Sequence, residues 1–202
     1  MSNPSAIGIF GGTFNPIHLG HLIIANFFVS DFHLDFCYFV PNHISPFKIE
    51  NDEIAPDEQR LEMISLAIKE NPKFLVSTFE IEKKGISYSF ETVLYFKSTF
   101  SQSKLYFLIG SDQIENFTFW KNWETILENA ELVVAKRNYR KINIPTNLEP
   151  YLKKINFLDN PIIEISSSLI RQLISKNKSI DYLVPNEVRK YIFDNDIYRR
   201  KL

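Results

Sequence analysis

Ala6-Ile7-Gly8-Ile9-Phe10-Gly11-Gly12-Thr13-Phe14-Asn15-Pro16-Ile17-His18-Leu19-Gly20-His21 is the stretch from which the rest of the chain is best read. It begins as a short apolar run closed by glycine, the pattern of a buried strand. Gly11 and Gly12 carry no Cβ, so backbone N–H groups there can come close to a ligand. Pro16 sets a turn, and Leu19, Leu22, Ile23, Ala25 and Phe27 follow at helical spacing. His18 and His21 therefore share one face of the first helical turn. A helix start presents unpaired N–H groups and the positive end of the dipole, a setting that favours phosphate. Two imidazoles beside it add donors that can become cationic when phosphate is bound. The plainer alternative is a glycine turn carrying two solvent-exposed histidines.

Outward from this stretch, strand-like runs recur at residues 7–10, 36–40, 74–78, 105–109, 132–135 and 162–165. Helical patterns fall between most of them, at 18–30, 57–70, 89–100, 123–129, 167–175 and 185–193. Such βα alternation predicts an α/β fold with a doubly wound, Rossmann-like parallel sheet and right-handed crossovers. Ligands of such sheets bind beyond the carboxyl ends of the strands, where the strand order reverses. Gly11-Gly12, Pro41-Asn42, Gly110-Ser111-Asp112 and Ser166-Ser167 each follow a predicted strand, so all four are expected on one edge. The connections 42–55 and 137–150 are long for a compact domain and read as binding loops.

The 202 residues are 45% hydrophobic, enough to bury a core, and are most simply one domain over 1–202. A net charge of −1 gives no field for steering onto nucleic acid, and no basic stripe interleaves with aromatics. Small ligands are favoured instead. The single cysteine, Cys37, lies within Phe36-Cys37-Tyr38-Phe39-Val40 and reads as a buried strand thiol, which fits a cytoplasmic setting. No stretch is long and apolar enough for a membrane span, and oligomeric state leaves no signature.

His18-Leu19-Gly20-His21 behind Gly11-Gly12-Thr13-Phe14 resembles the HxGH motif of the nucleotidyltransferase superfamily. Ile165-Ser166-Ser167-Ser168-Leu169-Ile170-Arg171 is similar to that superfamily's second motif, ISSTxIR, with Ser168 at the Thr position. Alone, this segment would also suit an ordinary serine N-cap with a solvated Arg. Neither segment has Walker or GxGxxG character. Over nearly its whole length the chain most resembles the bacterial nicotinate-nucleotide adenylyltransferases. The resemblance implies AMP transfer from ATP to nicotinate mononucleotide, with release of deamido-NAD and pyrophosphate. It implies His18, His21 and Arg171 as catalytic groups, and Gly11, Gly12, Thr13, Phe14, Lys48, Ser166, Ser167 and Ser168 around ATP. Lys48 closes Pro41-Asn42-His43-Ile44-Ser45-Pro46-Phe47-Lys48, a looser match to the family's PNxxPPHK loop, with Phe47 where the family has His. His43 is one stand-in for that missing donor; a solvated loop histidine is the simpler reading, and His33 reads as a surface residue.

For the acceptor, Asp112 at a strand end can accept bonds from ribose hydroxyls. By resemblance Trp120 stacks on the pyridine ring, with Lys121 beside it, while Trp123 reads as core. Tyr88 and Ser89 lie in a segment similar to the family's SYT, where a helix start would meet the nicotinate carboxylate. Arg60, in Arg60-Leu61-Glu62-Met63, reads as helix packing with a solvated or ion-paired guanidinium. Asn15 stands where the family has Asp and brings no charge, though it can hold the turn. Mg²⁺ is expected on triphosphate oxygens and water, without a protein metal site. Two other functions stay open: a sister nucleotidyltransferase with another acceptor, and a non-catalytic nucleotide-binding protein.

Overall fold

Six strands form one sheet in the order β3-β2-β1-β4-β5-β6, every neighbouring pair parallel. They are β1 (Ala6–Gly12), β2 (Phe36–Pro41), β3 (Phe74–Val76), β4 (Lys104–Gly110), β5 (Glu131–Ala135) and β6 (Ile155–Leu158). The computed structural model describes residues 3–46, 54–137, 139 and 142–199. The helices are α1 (Leu19–Asp31), α2 (Asp57–Ile68), α3 (Phe79–Lys83), α4 (Ser89–Thr99), α5 (Trp123–Asn129), α6 (Ser167–Ser175) and α7 (Asn186–Asp194). Short 3-10 helices occupy Ile114–Phe119 and Thr146–Lys154.

Alternation along the strands makes two cores. Cys37, Phe39, Tyr106, Leu108, Val133 and Ala135 join one cluster that includes Phe28, Met63, Ile64, Ile170 and Val188, from α1, α2, α6 and α7. Ile7, Ile9, Leu105, Phe107, Ile109, Leu132 and Val134 join the other, with Val93 and Phe96 of α4 and Ile126 and Leu127 of α5. Because both faces are covered, the central strands are apolar throughout instead of alternating with polar residues. Each fully buried Ile, Leu or Phe contributes about 1.5–3 kcal/mol, so the sheet is a stiff platform for whatever its strand ends carry.

One expected strand is corrected. Residues 162–165 are not in the sheet; the sixth strand is β6, paired as Leu132↔Ile155 through Ala135↔Leu158. Asn160 explains the exit. Its Oδ1 accepts from Lys136 N at 2.9 Å and its Nδ2 donates to Lys136 O at 2.9 Å, so a side chain replaces the next backbone rung. Pro161 then offers no N–H, and 162–165 become the extended connection into α6. The other expected elements are present with ends shifted by a few residues, and β3 is shorter than residues 74–78. Helix α3 and the 3-10 turns were not expected; Thr146–Lys154 takes up the last residues of what reads in sequence as the loop 137–150.

Candidate active site

The turn after β1 and the start of α1 place both histidines of the opening motif. His18 is the N-cap residue of α1, in extended conformation. Its backbone N–H donates to His21 Nδ1 at 3.2 Å, which leaves the proton of neutral His21 on Nε2. The two rings stack 3.7 Å apart at 26°. Gly20 makes that stack possible: a Cβ there would sit 3.0 Å from His18 Nδ1. Phe14 closes against His21 edge-on at 5.0 Å. His18 is 2% exposed and His21 only partly exposed, so the reading of two solvent-exposed histidines fails. Burial first, then the Arg137 guanidinium, lowers His18 to about 3. Burial, His18 and Arg137 together hold His21 well below its ordinary value. Without phosphate, both rings are neutral N–H donors.

The second motif meets the first directly. Ser166 caps α6 and its Oγ accepts from Leu169 N at 3.2 Å. Ser167 Oγ donates to Pro16 O at 2.8 Å, and Arg171 Nη1 donates to Asn15 O at 2.9 Å. Segments more than 150 residues apart are thus bonded at one turn. Arg171 is not the solvated arginine of the alternative reading. Ser167 commits its proton to Pro16, so its hydroxyl ties the motifs together, and Ser166 and Ser168 are the hydroxyls left to face a ligand. Gly11, Gly12, Thr13, Phe14, His18, His21, Ser166, Ser167, Ser168 and Arg171 all line one cavity of about 320 Å³. Lys48 and Phe47 lie outside the described residues.

Three arginines and a tyrosine shape this region, and only Arg171 stands out in the sequence as a site residue. Arg137 follows β5 and lines the same cavity. Its backbone N–H donates to Ser111 Oγ at 3.0 Å, and its Nη1 lies 3.6 Å from Asp112 Oδ2. Gly110 leaves room for it, since a Cβ there would come within 2.6 Å of Arg137 Cδ. The signal that could have found Arg137 is position: a cation just past a strand on the ligand edge. Arg60 is corrected in part. It is fully buried, so it is not solvated, but it is ion-paired with Asp57. Its remaining donors reach Thr13 O at 2.8 Å, Asn42 O at 2.6 Å and Ala55 O at 3.1 Å. It thereby fixes the chain after β1 and after β2, in the way a buried charge requires. Asp57 also pairs with His43, which is half-buried and not a solvated loop histidine. Tyr198 donates to Asn15 Oδ1 at 2.7 Å. His33 is exposed and Cys37 buried, as expected.

A second cavity of about 630 Å³ opens beside the first. Tyr88, Ser89, Asp112, Trp120 and Lys121 all line it. Gly11, Gly12, Thr13, Leu108, Ile109 and Gln113 belong to both cavities. The shared wall is the end of β1 and β4, where the strand order reverses. Trp120 leans on Phe117 at 5.3 Å, while Trp123 packs between Phe117 and Tyr151 as a core residue. Lys121 Nζ stands 4.3 Å over the Tyr88 ring. Tyr88 is the N-cap of α4, and its neighbour Ser87 is held by Ile44 O at 2.9 Å and by His43 N–H at 3.0 Å. The buried Glu80 accepts from Thr92 below this helix start, and burial raises its pKa. Among the described residues no group of three or more His, Cys, Asp or Glu could hold a metal ion.

Paired imidazoles, an arginine on a serine-capped helix and two adjoining cavities at the β1/β4 switch define a nucleotidyltransferase. In keeping with this, the family model described as cytidylyltransferase-like matches residues 9–173. The nicotinate-nucleotide adenylyltransferase of Bacillus subtilis is 38% identical, covering 95% of this chain and 97% of that one. A probable nicotinate-nucleotide adenylyltransferase of Caldicellulosiruptor saccharolyticus is 40% identical, covering 96% and 98%. The chain belongs to the nicotinate-nucleotide adenylyltransferase family. The same fold is seen in a solved Plasmodium falciparum nicotinic acid mononucleotide adenylyltransferase complexed with NaAD, at TM-score 0.77 and 20% identity, covering 96% and 97%.

Proposed function

We infer that the protein transfers AMP from ATP to nicotinate mononucleotide, making deamido-NAD and pyrophosphate for NAD biosynthesis. The observation that carries the reading is the pair of cavities meeting at Gly11-Gly12-Thr13. One has the donors of a triphosphate site, the other the aromatic and helix-start surface of a ring bearing a carboxylate. A phosphate oxygen of the mononucleotide attacks the α-phosphorus; the new P–O bond forms as the bond to pyrophosphate breaks. No side-chain nucleophile enters, and the attacking phosphate, with a second pKa of about 6, is already largely dianionic. Positioning and charge neutralisation are what the protein supplies.

In this reading His21 Nε2–H and the His18 ring donate to the triphosphate, His21 at the α-phosphate, with Arg171 and Arg137 as the flanking cations. Backbone N–H groups at Gly11 to Phe14 and at the start of α6 take further oxygens, with Ser166 and Ser168 beside them. Lys48 adds a cation by resemblance alone. Tyr88 and Ser89 at the start of α4 take the ring carboxylate, Trp120 the pyridinium face, and Asp112 the ribose. The cavity's donors are cations, hydroxyls and N–H groups, so Mg²⁺ fits as a passenger on the triphosphate's own oxygens, neutralising their charge. Residues 1–202 act as one domain, since both ends of the chain build one cavity. ATP as substrate and a lone buried thiol suit a cytoplasmic setting.

The test is pyrophosphate release from ATP or CTP with a panel of phosphorylated acceptors. Release with ATP and nicotinate mononucleotide supports the reading. Release only with CTP or another acceptor supports a sister enzyme, and ATP binding with no release from any acceptor supports a non-catalytic protein.

A further inference from the structure

We propose that Tyr198 is a positioning residue of the triphosphate site: its hydroxyl fixes Asn15, whose carbonyl holds the Arg171 guanidinium. The inference rests on the reading of Arg171 as a triphosphate contact. Asn15 Oδ1 accepts from two donors, Tyr198 Oη–H at 2.7 Å and Ala55 N–H at 3.0 Å. A backbone N–H requires an oxygen opposite it, so the amide's orientation is determined. Asn15 O then accepts from Arg171 Nη1 at 2.9 Å. Tyr198, Asn15 and Arg171 therefore form a relay from the segment after α7 to the cavity.

The surroundings suit such a role. Asn15 is 4% exposed; Ala55 N–H orients its amide, and the Tyr198 hydroxyl adds a second fixed point on Oδ1 that holds the residue, and with it the Asn15 carbonyl, in place. Burial keeps the Tyr198 phenol protonated, although Arg171 and Arg60 lie close enough to act against that. It is thus the donor, and Asn15 the acceptor. Tyr198 also sits at φ 66°, a left-handed conformation that is strained for a bulky residue. Ile197 just before it is buried in the core, and its N–H bonds Ile192 O at 3.0 Å, so the tail is anchored on α7. A strained backbone held at that point places the hydroxyl over the turn.

Tyr198→Phe removes only the hydroxyl. With that hydrogen bond lost, the KM for ATP should rise about fivefold, while the KM for nicotinate mononucleotide stays within about twofold. A purely structural role would lower the unfolding midpoint and leave the KM for ATP of the folded enzyme unmoved. That result, or an equal rise in both KM values, overturns the proposal. In an Arg171→Ala background the second substitution should add nothing; the same fivefold rise there would mean Tyr198 does not act through Arg171. Should Tyr198→Phe fail to fold, Asn15→Ala keeps the ring and removes the acceptor, and the same ATP-specific rise is expected; its absence sinks the idea. If Arg171→Ala alone leaves the KM for ATP unchanged, the reading of Arg171 falls and this inference with it. If Arg171→Ala raises it and Tyr198→Phe does not, only this inference falls.

Discussion

At His21 the direction of one hydrogen bond sets the chemistry. Because His18 N–H donates to Nδ1, the proton at Nε2 is the one available to a phosphate oxygen. His21→Ala should lower kcat about 100-fold while changing ATP binding far less, as loss of a transition-state donor does; steady-state kinetics with unchanged turnover would remove His21 from that role. The His18 ring gives a separate test. Burial lowers its folded-state pKa from 6.5 to about 3, so between those values the unfolded chain binds a proton that the folded chain excludes. The stabilisation is fully present above pH 6.5 and is lost as pH falls toward 3. From pH 7 to pH 5 the loss should be about 2 kcal/mol. Urea unfolding at the two values measures it, and His18→Asn, which cannot titrate, should remove the His18 share of the difference while that of His21 remains; an equal slope in both proteins would contradict the account. His18, His21 and Arg171 were readable from local motifs because their spacing carries the signal. Arg60 was not, since its partners Thr13, Asn42 and Ala55 come from three separated segments that no local pattern joins.

Helix α4 and the 3-10 turn before α5 are the elements on which the proposed acceptor specificity rests. Tyr88 and Ser89 open α4, and Trp120 ends the 3-10 turn Ile114–Phe119 on a base of Phe117. Trp120→Ala should weaken the pyridine mononucleotide far more than ATP, on the order of tenfold or more for loss of a cation–π face. Titrating each ligand separately checks this, and equal losses would mean that Trp120 is mainly core, as Trp123 is. Elements with a strong local pattern, such as the unbroken apolar run of β4, were legible in the sequence. The failure at residues 162–165 is instructive because their composition is as strand-like as that of β6. Asn160 and Pro161, one closing the ladder and the other lacking an N–H, decide between them. Helix α3 and the 3-10 turn Ile114–Phe119 are too short to carry a period, and Thr146–Lys154, with Pro150 inside it, does not follow the 3.6-residue pattern of an α-helix.

Across the whole molecule, the reversal of strand order between β1 and β4 creates the crevice, and the parallel sheet brings the strand ends to one edge. Both motifs reach that edge although they lie at opposite ends of the chain, and Ser167 and Arg171 bond the turn beside β1. In the proposed reaction the adjoining cavities hold donor and acceptor in contact, as direct transfer between two phosphates requires. Selectivity between acid and amide tests this arrangement as a whole. On the proposed reading, backbone N–H donors at the start of α4 meet a carboxylate with charge-assisted bonds, whereas an amide turns one end toward them without an acceptor. A difference of a few kcal/mol gives a preference on the order of 100-fold. The decisive measurement supplies ATP with equal concentrations of nicotinate and nicotinamide mononucleotides and separates the dinucleotides formed. Deamido-NAD should dominate by about 100-fold; equal incorporation, or an excess of the amide product, would contradict the assignment of the acceptor.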